Sequence, residues 1–135
     1  MVQIEVMYRG ELRCAAVHTP SGEELLTNAP VDNQGKGETF SPTDLVAAAL
    51  GTCIPTVMAA VAEREKIDLT GIRVTVSKEM SADRPRRIAR LATHIVMPGG
   101  LTEQQKAKLE RAAHTCPVHQ TLDGKVEMPV EFVYP

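Results

Sequence analysis

One nearly uncharged run sets the terms for everything else in the chain. Ser41 to Ala60 reads SPTDLVAAALGTCIPTVMAA, and its single charge is Asp44. The run opens with helix-start signals. Ser41 can cap, Pro42 suits the first helical position, and an acid at 44 favours the first turn. The pattern predicts a helix from Pro42 to about Glu65. A helix apolar on every side must be buried. Its side chains are small at Ala47, Ala48, Ala49, Gly51, Thr52, Ala59 and Ala60, so another backbone can come close. Cys53 lies mid-run, just before Pro55, whose missing N–H removes one helical hydrogen bond and predicts a kink. A cysteine there is either a small core hydrophobe or a chemical site, and the run alone does not decide.

Such a helix needs covering layers. A chain of 135 residues fits one domain, 1–135, with a sizeable core. It has no Trp, two Phe and two Tyr, so the core falls to Val, Leu, Ile, Met and Ala. The formal net charge of −2 gives no electrostatic reason to expect nucleic acid. No apolar run is expected to reach the roughly 18 residues that suggest a membrane span, and no signal peptide is expected. Three cysteines without a disulfide framework point to a cytoplasmic, reducing setting, where thiols are reduced, catalytic or metal-binding rather than bridged.

The flanks read as strands. Val2, Ile4, Val6 and Tyr8 alternate with polar residues, as in a half-buried strand. Arg9–Glu11 is a turn, Leu12–His18 a second strand, Pro20–Gly22 a turn and Glu24–Thr27 a short third strand. Together they predict an antiparallel meander. The segment 28–40, NAPVDNQGKGETF, is a long loop of the kind that often carries function. Beyond the helix, Ile72–Met80 and Ile88–Met97 read as strands joined by a turn at 83–86. Thr102 and Gln105 form a capping box for a helix that buries Leu109, Ala112 and Ala113. That helix ends near Cys116-Pro117, and Pro117 can start a short turn through Leu122. A last strand spans Val126–Tyr134, and Pro129 puts it near an edge. The order βββ-α-ββ-α-(α)-β with antiparallel strands is an α+β fold. One such chain offers too few strands to cover its apolar helix. The burial requirement therefore predicts a homodimer, with two helices packed together between two sheets.

Cys53 and Cys116 lead the candidate chemistry. If Pro117 opens a helix, Cys116 sits at its N-terminus, where free N–H groups and the dipole favour a thiolate. The functional reading is a redox pair: one thiolate becomes a sulfenic acid on a peroxide, and the other condenses with it to a disulfide. The competing reading is two buried cysteines acting as small hydrophobes. Cys116-x-x-His119, with His114 and Cys53, has the donor types for zinc but lacks a second paired motif. Cys14 alternates with Leu12 and Ala16 and reads as core. His18 reads as a surface residue able to reach a site at the sheet mouth. Arg84, Arg86, Arg87 and Arg90 read as a solvated rim rather than an anion or DNA site. The glycines of GKGE at 35–38 read as turn formers, since the phosphate-loop pattern is incomplete.

FSPTDLVAAALGTC (40–53), KEM (78–80), RPRRI (84–88) and CPVHQTL (116–122) resemble the OsmC/Ohr superfamily of osmotically inducible and organic hydroperoxide resistance proteins, in the same order over nearly the whole chain. DNQGKGETFSPTDL looks most like its broad OsmC-like branch. The resemblance implies an intertwined homodimer whose two central helices are wrapped by antiparallel sheets, with active sites at the subunit interface. It implies reduction of organic hydroperoxides with Cys53 as the peroxidatic thiol and Cys116 as the resolving one. A dithiol or lipoylated protein would be the reductant. No cofactor, metal, nucleic acid or membrane is implied. The family's peroxidases hold an arginine against the thiolate with a glutamate from an N-P-E motif. Here that motif is Ser41-Pro42-Thr43. Asn33 or Lys36 falls near the OsmC arginine position, and Arg9 near that of the Ohr branch. Glu38 and His18 are the candidate substitutes. A different class stays open beside the enzyme: a non-enzymatic OsmC-like protein that binds a small apolar or thiol-reactive ligand at the dimer interface.

Overall fold

The computed structural model describes all of residues 1–135. Strands β1 (Ile4–Gly10), β2 (Arg13–His18) and β3 (Glu23–Asn28) come first. They are followed by a 3-10 turn at Val31–Asn33 and helix α1 (Pro42–Arg64). Strands β4 (Arg73–Met80) and β5 (Ile88–Val96), helices α2 (Glu103–Ala113) and α3 (Pro117–Leu122), and strand β6 (Val130–Val133) complete the chain. It is a mixed α+β arrangement with two three-stranded sheets, organised as two compact units, Met1–Val46 and Ala47–Pro135.

In the first unit β1, β2 and β3 form the expected antiparallel meander, with Tyr8 opposite Cys14 and Cys14 opposite Thr27. The burial expected of it is corrected. β1 is wet on both faces: Ile4 is 54% and Val6 64% exposed, and Met7 is exposed as well. The buried residue of β2 is Ala15, while Cys14 is only half-buried and so is not core. Alternation orders side chains onto two faces, but burial needs a covering layer, and within one chain β1 has none.

Helix α1 starts as read. Ser41 Oγ accepts from the Asp44 N–H (3.1 Å), and the Ser41 N–H donates to Asp44 Oδ2 (2.8 Å). This reciprocal pair closes the N-terminus as a capping box does, with aspartate in place of glutamate. The helix runs unbroken past Pro55. Within one chain its burial is one-sided. Ala47, Leu50, Ile54, Met58 and Ala62 are buried at helical spacing, whereas Ala49, Thr52, Thr56 and Ala60 form an exposed line. The expectation about membrane-length runs is corrected too. No charge interrupts Leu45–Ala62, and α1 contains an 18-residue window of mean hydropathy 2.0, long and apolar enough by composition to cross a membrane. The buried stripe at spacings of three and four is the pattern of a helix seated against a core on one side.

In the second unit the sheet order is β4-β5-β6. β4 and β5 are antiparallel, and exposure alternates along β4 as the pattern requires. β6 pairs parallel to β5, which corrects the all-antiparallel expectation. The chain spends α2 and α3 between these strands, and a crossover of that length returns it in the same direction. β6 is also shorter than expected. The Lys125 and Val126 N–H groups still bond the Leu122 carbonyl, and Pro129 has no N–H to offer a ladder. β6 lies at the edge, as Pro129 predicts. α2 carries the full capping box, Gln105 N–H to Thr102 Oγ1 (3.1 Å) and Thr102 N–H to Gln105 Oε1 (2.9 Å), and it buries Leu109, Ala112 and Ala113. The core of this unit is Leu50, Ile54 and Met58 from α1, Leu91 and Ile95 from β5, and Leu109 from α2. Gly51 sets a close helix–sheet approach. A Cβ added there would lie 2.9 Å from Val76 Cγ2.

Candidate active site

Cys116 is the cap of α3. Pro117, with its φ pre-set and no N–H to satisfy, takes the first helical position. The Cys116 sulfur then accepts the His119 N–H at 3.4 Å. The corner that holds it is tightly bonded. The Thr115 hydroxyl and N–H both donate to the Ala112 carbonyl (2.7 and 2.9 Å), and Gln120 Nε2 donates to the His114 carbonyl (2.7 Å). Cys116 is 0% exposed.

Cys53 reaches the same place from α1. Cys53 is half-buried, and its thiol lies close enough to the Cys116 thiol to perturb its titration. Both thiols are free. Burial pushes the Cys116 thiol up, and the neighbouring Cys53 thiol pushes it further the same way. The N–H groups of His119 and Val118 pull it down but do not win. The expected thiolate bias at the α3 N-terminus is therefore present in sign and outweighed by desolvation. The raised pKa keeps the proton on Cys116. Two neighbouring free thiols have the groups needed for interconversion between a dithiol and a disulfide. The rings of His114 and His119 meet edge to face, with centroids 5.4 Å apart. No three Cys, His, Asp or Glu side chains are grouped to hold a metal ion.

The remaining predicted residues lie in the first unit, each with a partner there. Arg9 pairs with Glu24 (3.3 Å), and His18 Nδ1 lies 2.6 Å from Ser21 Oγ in the turn that follows β2. Glu38 accepts from Arg13 Nε and Nη2, along one edge of the guanidinium, at 2.8 to 3.1 Å, and Glu11 Oε2 accepts from Nη1 at 2.6 Å. Glu38 first, then Glu11, hold the Arg13 guanidinium above its ordinary value. His18 is thus at the opposite end of β2 from Glu38. Thr43 Oγ1 lies 3.1 Å from Ser41 Oγ at the mouth of α1. Arg13 is the residue that sequence reasoning missed. With Glu38 it makes a guanidinium–carboxylate pair, the kind the resemblance implies, from positions other than Arg9 and Thr43. The only signal was the opposite sign of Glu38 in a loop whose return path the sequence does not reveal.

That return path is built on Asn28 and Gly35. Asn28 is 1% exposed; its Nδ2 donates to the Leu12 carbonyl (3.4 Å), and its Oδ1 accepts the Lys36 N–H (3.0 Å). The Gly35 N–H bonds the Pro30 carbonyl at 2.9 Å. A Cβ at Gly35 would lie 1.6 Å from the Ala29 carbonyl oxygen, and Gly37 adopts φ +62°. Both glycines are turn formers, as read. Gly35→Ala is expected to cost about 1–3 kcal/mol through forced displacement of backbone and to release Glu38 from Arg13. Urea denaturation measures the first effect, and loss of the hydrogen-bonded Arg13 Nε–H signal by NMR the second.

Comparison with known proteins agrees with this architecture. The family model for OsmC-like protein matches residues 35–131. A Psychrobacter arcticus protein named for osmotic stress induction and detoxification response is 38% identical, over 98% of this chain and 96% of that one, with a TM-score of 0.92. A Legionella pneumophila organic hydroperoxide resistance protein, OsmC, has the same fold at 22% identity, covering 98% of this chain and 96% of its own, with a TM-score of 0.79. So does an organic hydroperoxide resistance protein of Elizabethkingia anophelis, at 18% identity over 100% and 96%, with a TM-score of 0.81. No curated protein matches the sequence.

Proposed function

Because the chain belongs to the OsmC-like protein family, we propose that it is a two-cysteine thiol peroxidase that reduces organic hydroperoxides as a homodimer. The observation that carries the reading is the proximity of Cys116 and Cys53, two thiols distant in sequence whose titrations influence each other. In the first step the Cys53 sulfur attacks an oxygen of the hydroperoxide. The O–O bond breaks, an S–O bond forms, and the alcohol leaves with a proton. In the second, the Cys116 sulfur attacks the sulfenic sulfur of Cys53. A disulfide forms and water departs, its oxygen taken from the sulfenic acid. A dithiol then returns two electrons and two protons.

The dimer in this reading is supported by what one chain leaves uncovered. Ile4, Val6 and Met7 are exposed on β1, and Ala49, Thr52, Thr56 and Ala60 form a small-residue line on α1. A second copy would cover such surfaces.

Titration with cumene hydroperoxide, thiol trapping and peptide mass mapping test the chemistry. One equivalent is expected to produce a Cys53–Cys116 disulfide within seconds, with Cys14 still free. Sluggish, unselective oxidation of all three thiols would exclude the peroxidase and favour a ligand-binding protein whose cysteines are packing residues.

A further inference from the structure

The resolving step needs a proton acceptor. Cys116 attacks as a thiolate, yet its sulfur is 0% exposed and carries its proton at rest. Bulk water does not reach it. The buried corner itself holds one base. His119 is the third residue of α3, the position from which a side chain reaches back toward its own cap. Its backbone N–H already bonds the Cys116 sulfur at 3.4 Å. Its Nδ1 is buried and has no hydrogen-bond partner. A buried polar nitrogen without a partner is costly, and such atoms in a folded protein call for a reason. In the tautomer protonated at Nε2, Nδ1 is an acceptor, and imidazole is the side chain that exchanges protons near neutral pH. The ring of His114 stands edge-on against it at 5.4 Å. The titratable groups beside it are Cys116 and His114 from the end of α2, and Cys53 from α1 neighbours Cys116.

We propose that His119 is the proton acceptor for Cys116, taking the thiol proton as the Cys116 sulfur bonds to oxidised Cys53. The assignment rests on the two-cysteine reading above. In the peroxidase cycle the S–S bond forms as the S–O bond of the Cys53 sulfenic acid breaks. The proton taken from Cys116 goes on to the departing hydroxide, which leaves as water. With any other group on Cys53 the chemistry at His119 is the same, and only the departing anion differs.

That equivalence provides a test independent of hydroperoxide. In the full chain carrying Cys14→Ser, dithiobis(nitrobenzoate) modifies the half-buried Cys53 and releases one thionitrobenzoate. Cys116 then displaces the second as the disulfide closes, and absorbance follows both phases. His119→Gln is expected to slow the second phase by about 100-fold, the scale of losing a general base. His119→Ala is expected to do the same, with added imidazole restoring much of the rate. A base recovers in that way and a packing residue does not. A second phase at the native rate in both variants would overturn the assignment, as would the absence of any second phase in the chain with His119 intact. If the second phase slows as expected while hydroperoxide leaves Cys53 unoxidised, the peroxidase reading falls and the proton acceptor stands.

Discussion

Cys53→Ser is expected to abolish hydroperoxide consumption, by at least about a thousand-fold, the scale of removing a catalytic nucleophile. The serine hydroxyl keeps the size of the site and can still meet Cys116, so the fold has no reason to respond. What is lost is the sulfur nucleophile, which the serine hydroxyl does not replace. Steady-state consumption of cumene hydroperoxide with excess dithiothreitol measures it. Cys116→Ser separates the two roles. It is expected to leave the first oxidation in place and to trap Cys53 as a sulfenic acid, visible by mass, that further peroxide drives to the sulfinic state. Turnover that survives Cys53→Ser would remove Cys53 from the mechanism.

The second large effect is on stability. Ile54 adjoins Cys53 in sequence but lies in the stripe that α1 buries, at 0% exposure. Ile54→Ala removes three buried carbons and leaves a cavity that the surrounding side chains only partly fill. The expected cost is about 2–5 kcal/mol. Whole domains are stable by roughly 5–15 kcal/mol, so this one change consumes a substantial share. Ile54→Val deletes a single methylene and is expected to cost about 0.5–1.5 kcal/mol. Urea denaturation of the three proteins, compared at constant slope, measures both. Equal midpoints for native and Ile54→Ala would mean that α1 is not seated on the core as described.

What the sequence made legible were features whose cause is local. Ser41-Pro42 and Thr102-x-x-Gln105 mark helix starts because caps are satisfied within three residues. Cys116-Pro117 marks another for the same reason, and its start placed the candidate thiol correctly. Leu109, Ala112 and Ala113 were readable as a buried face because helical spacing is itself the signal. The misreadings share the opposite property. Whether β1 is covered, whether β6 runs with or against β5, and whether burial outweighs the α3 N–H groups at Cys116 depend on elements far along the chain. Arg13 and Glu38 were missed as a pair because only the fold of the 28–40 loop brings them together. Leu45–Ala62 was misread for a simpler reason: the uncharged run continues to Ala62, two residues past the end of the stretch singled out.

The burial of Cys116 also determines how the proposed disulfide would be undone. Its two sulfurs are unequal to solution, Cys53 half-buried and Cys116 shut away. An incoming thiol meets only the Cys53 sulfur, so Cys116 is the leaving group. Exchange slows as the leaving thiol becomes less acidic, and burial makes this one less acidic. A monothiol would form its mixed disulfide slowly, and Cys116, held beside it, would expel the newcomer. A dithiol escapes that reversal, because its second sulfur closes on the first before Cys116 can return. In the proposed cycle, reductants that carry two thiols on one molecule would therefore be favoured.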